Sequence, residues 1–286
     1  MLSQDNQYIT VQELCNCLDI SKSSIYYEKK LPKKDLKLSK QIIDVINKNK
    51  TYGHRRVALE LNINKKRVLR VMRLFNIKPL ITRSKKPRYK YKKGESRFEN
   101  LIKTICPIRP YVILATDFTY LRFKNSFLYL ATVLDIYTKE ILGYAVSTRH
   151  TQNLVLEAVK YGLSKCKTLP LFIHSDEGSE YMSDAYINYV HSQNIELSTS
   201  DIASPWQNGF KESFYSQFKL DLGAKNLNRF DTLGEVVGHI YKTIYYHNNQ
   251  RIHTTIKTQP VKFRNQELAK WSDVCCDRLV SKKMGT

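Results

Sequence analysis

Residues 110–147 read PYVILATDFTYLRFKNSFLYLATVLDIYTKEILGYAVS. Three apolar, β-rich runs, PYVILATDFTYLRF, FLYLATVLDIYT and EILGYAVS, are parted only by the short polar turns KNS and TKE. The first run is apolar on both faces, which predicts a central strand. Connections this short favour antiparallel pairing. Working outward, TQNLVLEAVKYGLSKC predicts a helix, LPLFIHSD a buried strand, SEYMSDAYINYVHSQN a helix and IELSTS a short strand. SPWQNGFKESFYSQFK, residues 204–219, then reads as a helix, with Ser204 as cap and Pro205 in the first turn. Phe210, Phe214 and Phe218 recur every four residues in it as a buried stripe, and Asn208, Glu212, Tyr215 and Lys219 share a different face. FDTLGEVVGHIYKTIYYHNN is a long final helix. Three strands, helix, strand, helix, strand, helix, helix is the order of an α/β domain.

Toward the N-terminus the texture is helical. ITVQELCNCLDISKSSIYYEKK, residues 8–29, predicts two short helices, with Val11, Leu14 and Leu18 lining one side of the first. LKLSKQIIDVINKN is amphipathic through Ile42, Ile43 and Ile46. TYGHRRVALELN follows, and the turn NIN leads into KKRVLRVMRLFN, where Val68, Met72 and Phe75 are expected to face inward. Lys65, Lys66, Arg67, Arg70 and Arg73 crowd the rest of that helix, and no acidic residue stands between Lys65 and Arg88 to balance them. A basic helix reached through a tight turn from another helix is the pattern of a helix-turn-helix DNA contact. Residues 82–98 carry eight Lys/Arg against one Glu, with Pro87 and Gly94 as breakers, and read as a basic linker. The expected division is 1–35, a helical helix-turn-helix-like segment; 36–81, a helix-turn-helix domain; 82–106, the linker; 107–270, the α/β core; and 271–286, a tail.

Charge supports this division. The 286 residues carry a net charge of +21; residues 1–98 hold +17 of it and residues 99–286 only +4. So lopsided a charge implies a polyanionic partner for the first third, with double-stranded DNA foremost. No apolar run reaches the ~18 residues of a membrane helix, and no signal peptide opens the chain, so a cytoplasmic, nucleoid-associated protein is expected. The six cysteines form no CxxC pair and read as reduced thiols.

Three carboxylates stand out. Asp117 lies inside the first strand among apolar neighbours, where a lone carboxylate is costly unless paired, protonated or metal-bound. Asp176 ends the strand LFIHSD, at the strand end where sites of open sheets gather. Glu212 follows after thirty-five intervening residues. Such a set suits hard divalent cations, and two ions can align a nucleophile and a leaving oxygen on a phosphodiester. Each residue also has a plainer reading: an ion pair for Asp117, a helix cap for Asp176, ordinary helix surface for Glu212. Asp135 is a rival strand carboxylate, ranked lower because Asp beside a turn often only bonds local backbone. His174 reads as a packing residue.

TDFTY, HSDEGSEY and SPWQNGFKESFYSQFK, in this order, resemble the signature of the DDE transposases and retroviral-type integrases. YGHRRVALELNINKKRVLRVMRLFNI, the core and YYHNNQRIHTTIKTQPVKF together resemble the OrfB product of the IS-three family of bacterial insertion sequences, from about residue 12 to residue 264. The resemblance implies an RNase H-like core, a mixed five-stranded sheet flanked by helices, behind an all-α helix-turn-helix region. It implies Asp117, Asp176 and Glu212 as a triad for two Mg2+ ions, with Mn2+ as a substitute, and Lys219 as a DNA contact beside it. Asn208, Gly209, Arg251 and His253 match further recurrent positions, and Arg251 and His253 join the expected DNA-binding set. The Trp often found upstream of the first Asp is missing, with Leu114 in that region, and no HHCC zinc motif is present. The family further implies strand cleavage and transfer, an OrfA-type partner or fusion, and a homo-multimer on DNA. Two readings from other classes share the same residues: an RNase H-like nuclease or resolvase that only hydrolyses, and a DNA-binding regulator with a silent core.

Overall fold

The computed structural model describes residues 10–26, 30–80, 97–200, 209–271 and 280–282. Five helices come first: α1 (Val11–Cys17), α2 (Lys22–Ile25), α3 (Lys30–Lys48), α4 (His54–Glu60) and α5 (Lys65–Leu74). Thr10 and Glu13 close a reciprocal capping box on α1, and the Asn64 side chain accepts from the Lys66 N–H at 2.8 Å to start α5. α3, α4 and α5 pack around Leu38, Ile42, Val45, Tyr52, Val57, Val68, Val71 and Met72.

Three expectations change here. Phe75 is 38% exposed, because it caps α5 where the chain leaves the helix, and Val71 takes the inner place. The inner line of α3 is Leu38, Ile42 and Val45, spaced by four and three, and Ile43 faces out. Val11, Leu14 and Leu18 are exposed and only Cys15 of α1 is buried, since the four-residue α2 has no buried residue with which to cover them. The expected division at residue 35 also falls inside the continuous helix α3.

The core holds a short strand β1 (Ile105–Pro107), then β2 (Ile113–Phe123), β3 (Ser126–Asp135), β4 (Ile141–Ser147), α6 (Gln152–Lys165), β5 (Phe172–Ser175), α7 (Asp184–Ser192), β6 (Glu196–Thr199), α8 (Gly209–Leu222), α9 (Leu233–Asn249) and α10 (Pro260–Trp271). The main sheet runs β4-β3-β2-β5-β6. β2, β3 and β4 pair antiparallel as their short turns require, while β5 lies parallel to β2 and β6 parallel to β5, each after a helical crossover. This is the RNase H-like arrangement, with β2 central. One face of the sheet buries Leu114, Ala131 and Val133 against α6 and α7; the other buries Leu121, Leu128 and Leu130 against α8 and α9. On the first face Gly143 sits so close to α6 that a Cβ there would overlap the Ala158 carbonyl oxygen and the Gly162 backbone. The expected linker and tail are joined at one point, where β1 pairs antiparallel with β7 (Val280–Lys282). Among the described residues no helix is long and apolar enough to cross a membrane.

Candidate active site

Strand alternation decides which carboxylates can meet. Asp117 pairs with Thr132 across β2 and β3, and Asp135 pairs with Leu114. Successive side chains point to opposite faces, so Asp117 shares the α8 face with Leu121 and Leu130, whereas Asp135 shares the α6 face with Leu114. Asp135 is fully buried and holds the turn after β3. Its carboxylate accepts from the Tyr111 N–H at 3.1 Å, the Tyr137 N–H at 2.9 Å and the Thr138 hydroxyl at 2.8 Å. Burial pushes its pKa up, against those three bonds. Asp135 thus bonds local backbone and the turn hydroxyl, as its place beside a turn predicts.

β5 brings the second carboxylate alongside the first. Ala115 of β2 is in parallel register with His174 of β5, and two residues further along each chain stand Asp117 and Asp176. Neighbouring strands lie about 4.8 Å apart. Local backbone orients both groups: the Phe118 N–H donates to Asp117 Oδ1 at 2.8 Å, and the Gly178 N–H donates to Asp176 Oδ1 at 3.1 Å. His174 is buried with Nδ1 2.9 Å from Ser198 Oγ, a packing residue as expected.

α8 lies over this strand pair. The Tyr215 hydroxyl donates to the Asp117 backbone carbonyl at 2.6 Å and lies 2.8 Å from Thr132 Oγ1. Burial, and then the charge of Asp117, hold the Tyr215 phenol well above its ordinary pKa; the same two causes act on Tyr181, so both stay neutral. Lys219, one turn on, has its pKa lowered by burial while Asp117 opposes the shift, and its Nζ lies 4.9 Å from the Tyr120 ring centroid. Glu212 stands in the first turn of α8, one turn before Tyr215. At ~100° per residue, positions 212, 215 and 219 fall on one face of the helix. The expected aromatic stripe is present at Phe214 and Phe218, which pack into the α9 side of the core. The expected cap at Ser204 and Pro205, and Asn208, lie outside the described residues. Tyr215 and Tyr181 are the site residues that sequence reading missed. The only available signal was that Tyr215 shares the Glu212 face.

The donor chemistry of Asp117 in β2 and Asp176 just past the end of β5, hard oxygens beneath the helix whose sequence includes Glu212, fits a hard divalent cation. Among the described residues no group of three His, Cys, Asp or Glu stands in metal-holding geometry.

The expected DNA-binding residues separate into two groups. Lys65, Lys66, Arg67 and Arg73 are exposed on α5. Arg70 is also partly exposed, but its guanidinium forms a two-pronged pair with the buried Asp35 of α3, at 2.8 and 2.7 Å. Arg251, expected to touch DNA, is only 2% exposed, with Nε 2.6 Å from Asp221 Oδ2 of α8. His253, two residues on, is half-buried. Burial first, and the charge of Arg251 next, drive its pKa down to about 4, so it is neutral. Arg251 is thus buried against α8, and His253 is half-buried, rather than both standing on an exposed surface.

Two models of an integrase core domain match residues 107–205 and 193–260. A chain of Lactococcus lactis subsp. lactis IL1403, the transposase for insertion sequence element IS904, is 32% identical over 231 residues, 76% of this chain and 88% of that one. An Escherichia coli K12 chain named as transposase InsK for insertion sequence element IS150 is 28% identical over 278 residues, 93% of this chain and 97% of that one. Among solved structures, the magnesium-bound catalytic core of HTLV-2 integrase is similar to 56% of this chain over 99% of its own length, with 18% identity and a TM-score of 0.47.

Proposed function

The chain belongs to the OrfB-type insertion-sequence transposases of the IS-three family, and from that membership we infer which of its residues carry the chemistry. It is a DDE-type polynucleotidyl transferase of DNA transposition. We propose Asp117, Asp176 and Glu212 as its acidic triad. The register of β2 on β5 supports this reading: Ala115 pairs with His174, and Asp117 and Asp176 each follow two residues on, beneath the helix that bears Glu212. When bound by those carboxylates, magnesium, as two ions with manganese as a substitute, would offset phosphate charge and lower the pKa of the attacking oxygen.

The chain's own groups do the rest. Tyr215 pins the Asp117 backbone, so the carboxylate keeps its place while phosphate enters. The Lys219 ammonium, beside Asp117, attracts the incoming phosphodiester. At an element end, a water oxygen bonds to phosphorus as the P–O3′ bond breaks, and the 3′-oxygen leaves as a hydroxyl. That hydroxyl then attacks a second phosphodiester in line, displacing its 3′-oxygen without a covalent protein intermediate. Lys65, Lys66, Arg67 and Arg73 on α5 hold the duplex backbone. An OrfA-type partner and a multimer bridging two ends complete the assembly.

The test is an assay on labelled element-end duplexes with Mg2+. The native chain should release nicked ends and join pre-cleaved ones, and Glu212→Gln should do neither. Equal activity of the two chains refutes the triad. Nicking without joining would identify a hydrolytic nuclease instead.

A further inference from the structure

The turn between α3 and α4 makes three separate hydrogen bonds to the core. Asn49 Oδ1 accepts from the Tyr246 hydroxyl of α9 at 2.7 Å. The Thr51 hydroxyl donates to Asp221 Oδ1 of α8 at 2.5 Å. The Tyr52 hydroxyl accepts from the Ile252 N–H at 2.7 Å, and Ile252 itself packs into the core of the helical domain. Asp221 is the hub. Its side chain is 4% exposed, its second oxygen faces Arg251 at 2.6 Å, and Gln217 donates to its first at 3.3 Å. Arg56 of α4 lies over the Tyr52 ring at 5.8 Å, so a second cation flanks the cluster.

Asp221 belongs to the same helix as Glu212, nine residues on. At ~100° per residue it stands on the opposite side of α8, roughly 13 Å along the axis. α8 is therefore gripped twice: Tyr215 binds it to the sheet at Asp117, and Asp221 binds it to the helical domain. A buried carboxylate shared by a hydroxyl and a guanidinium resists displacement, because moving the guanidinium leaves a charge unpaired away from water and moving the hydroxyl costs a buried charge-assisted hydrogen bond.

We propose that the α3–α4 turn is a positioning clamp on α8, in which Thr51 and Arg251 meet on Asp221 and tie the basic helical domain to the helix bearing Glu212. Asp221 is then a positioning residue: it touches no DNA, and it fixes the rotation and height of α8 against the strand aspartates. The clamp rests on the triad reading above. It also gives the buried Arg251 a role, and it makes the seating of α5 on DNA and the setting of the active site one event.

The experiment uses the full chain, labelled duplexes of the element's own ends, and Mg2+. Thr51→Val removes the hydroxyl at nearly constant shape, Thr51→Ser keeps it, Asp221→Asn removes the charge at the hub, and Glu212→Gln is the control. Thr51→Val is expected to bind the duplex within about twofold of the native chain, while its single-turnover rate at saturating DNA falls on the order of tenfold, as a sub-ångström misplacement would cause. The Mg2+ concentration for half-maximal rate should rise with it, and Thr51→Ser should restore both. Asp221→Asn should show the same separation of rate from binding, more strongly. If Thr51→Val and Asp221→Asn react at the native rate while Glu212→Gln is inactive, the clamp is overturned alone. Rate losses that only track equal losses of melting temperature and DNA binding mark an ordinary structural contact and also overturn it. Native activity in Glu212→Gln removes the triad and the clamp with it.

Discussion

Tyr215→Phe is a one-atom test of how the strand beneath the active site is held. The phenol donates to the Asp117 carbonyl at 2.6 Å and accepts from Thr132, whose side chain is fully buried. Phenylalanine keeps the ring in its slot, so no cavity opens and the effect is one of polar groups alone. Two buried groups, a carbonyl oxygen and a threonine hydroxyl, each lose one hydrogen bond where water does not reach. Losing two such bonds costs about 1–3 kcal/mol in total. For a domain of roughly 150–250 residues, each kcal/mol moves the melting temperature by about 2–4 °C, so a fall of roughly 4–8 °C is expected for a loss of ~2 kcal/mol. The joining rate should fall as well, because the carbonyl that moves belongs to Asp117. Adding Thr132→Val removes one of the two groups that lose a bond to Tyr215, so the double variant should melt above Tyr215→Phe alone. Calorimetry on the three chains and single-turnover joining with Mg2+ measure both effects. A Tyr215→Phe chain with native melting temperature and native rate would show that Asp117 needs no support from α8, and the argument for how α8 is seated would fail.

Two further outcomes follow from burial and charge. Arg70→Ala strands the Asp35 carboxylate, itself 3% exposed, and should lower helical-domain stability by about 1–3 kcal/mol, a range discounted because Arg70 is 45% exposed. Arg73→Ala should leave stability unchanged and instead weaken DNA binding and flatten its salt dependence by about one ion; parallel melting curves and salt titrations separate the two. His253, with its pKa held down to about 4 against an ordinary 6.5, binds a proton more readily unfolded than folded. Its stabilising contribution is therefore present above about pH 6.5 and is lost as pH falls toward 4, while Glu140, pushed up to about 7, titrates in the opposite sense. Urea unfolding of His253→Asn at several pH values should show stability falling less steeply between pH 6.5 and 4 than in the native chain, and an unchanged slope would contradict the burial argument.

The parts of this molecule that were legible in the sequence are those written in local periodicity. The strand run around Asp117, the turns KNS and TKE and the helix carrying Glu212 follow from spacing along a single element, and all appear in the fold. Even the preference for Asp117 over Asp135 rested on a local fact, a turn beside the second. What could not be read is depth. Phe75 has the spacing of an inner residue but sits where α5 ends, and periodicity says nothing about where a helix stops. Arg251 and His253 stand in a polar stretch, and a charged residue in such a stretch reads as surface; only the fold shows that Asp221 waits beneath it. The Thr51 and Asp221 side chains are 170 residues apart, each ordinary in its own surroundings, and their meeting is a property of two domains docking rather than of either segment. Motif positions of uncertain role are where this gap matters most: a recurrent arginine just after α9 invites a DNA contact, yet a guanidinium removed from water with a carboxylate at 2.6 Å has its charge already engaged. Bringing that guanidinium to a phosphate would leave Asp221 buried without its cation, a cost of several kcal/mol that surface lysines such as Lys65 and Lys66 do not incur.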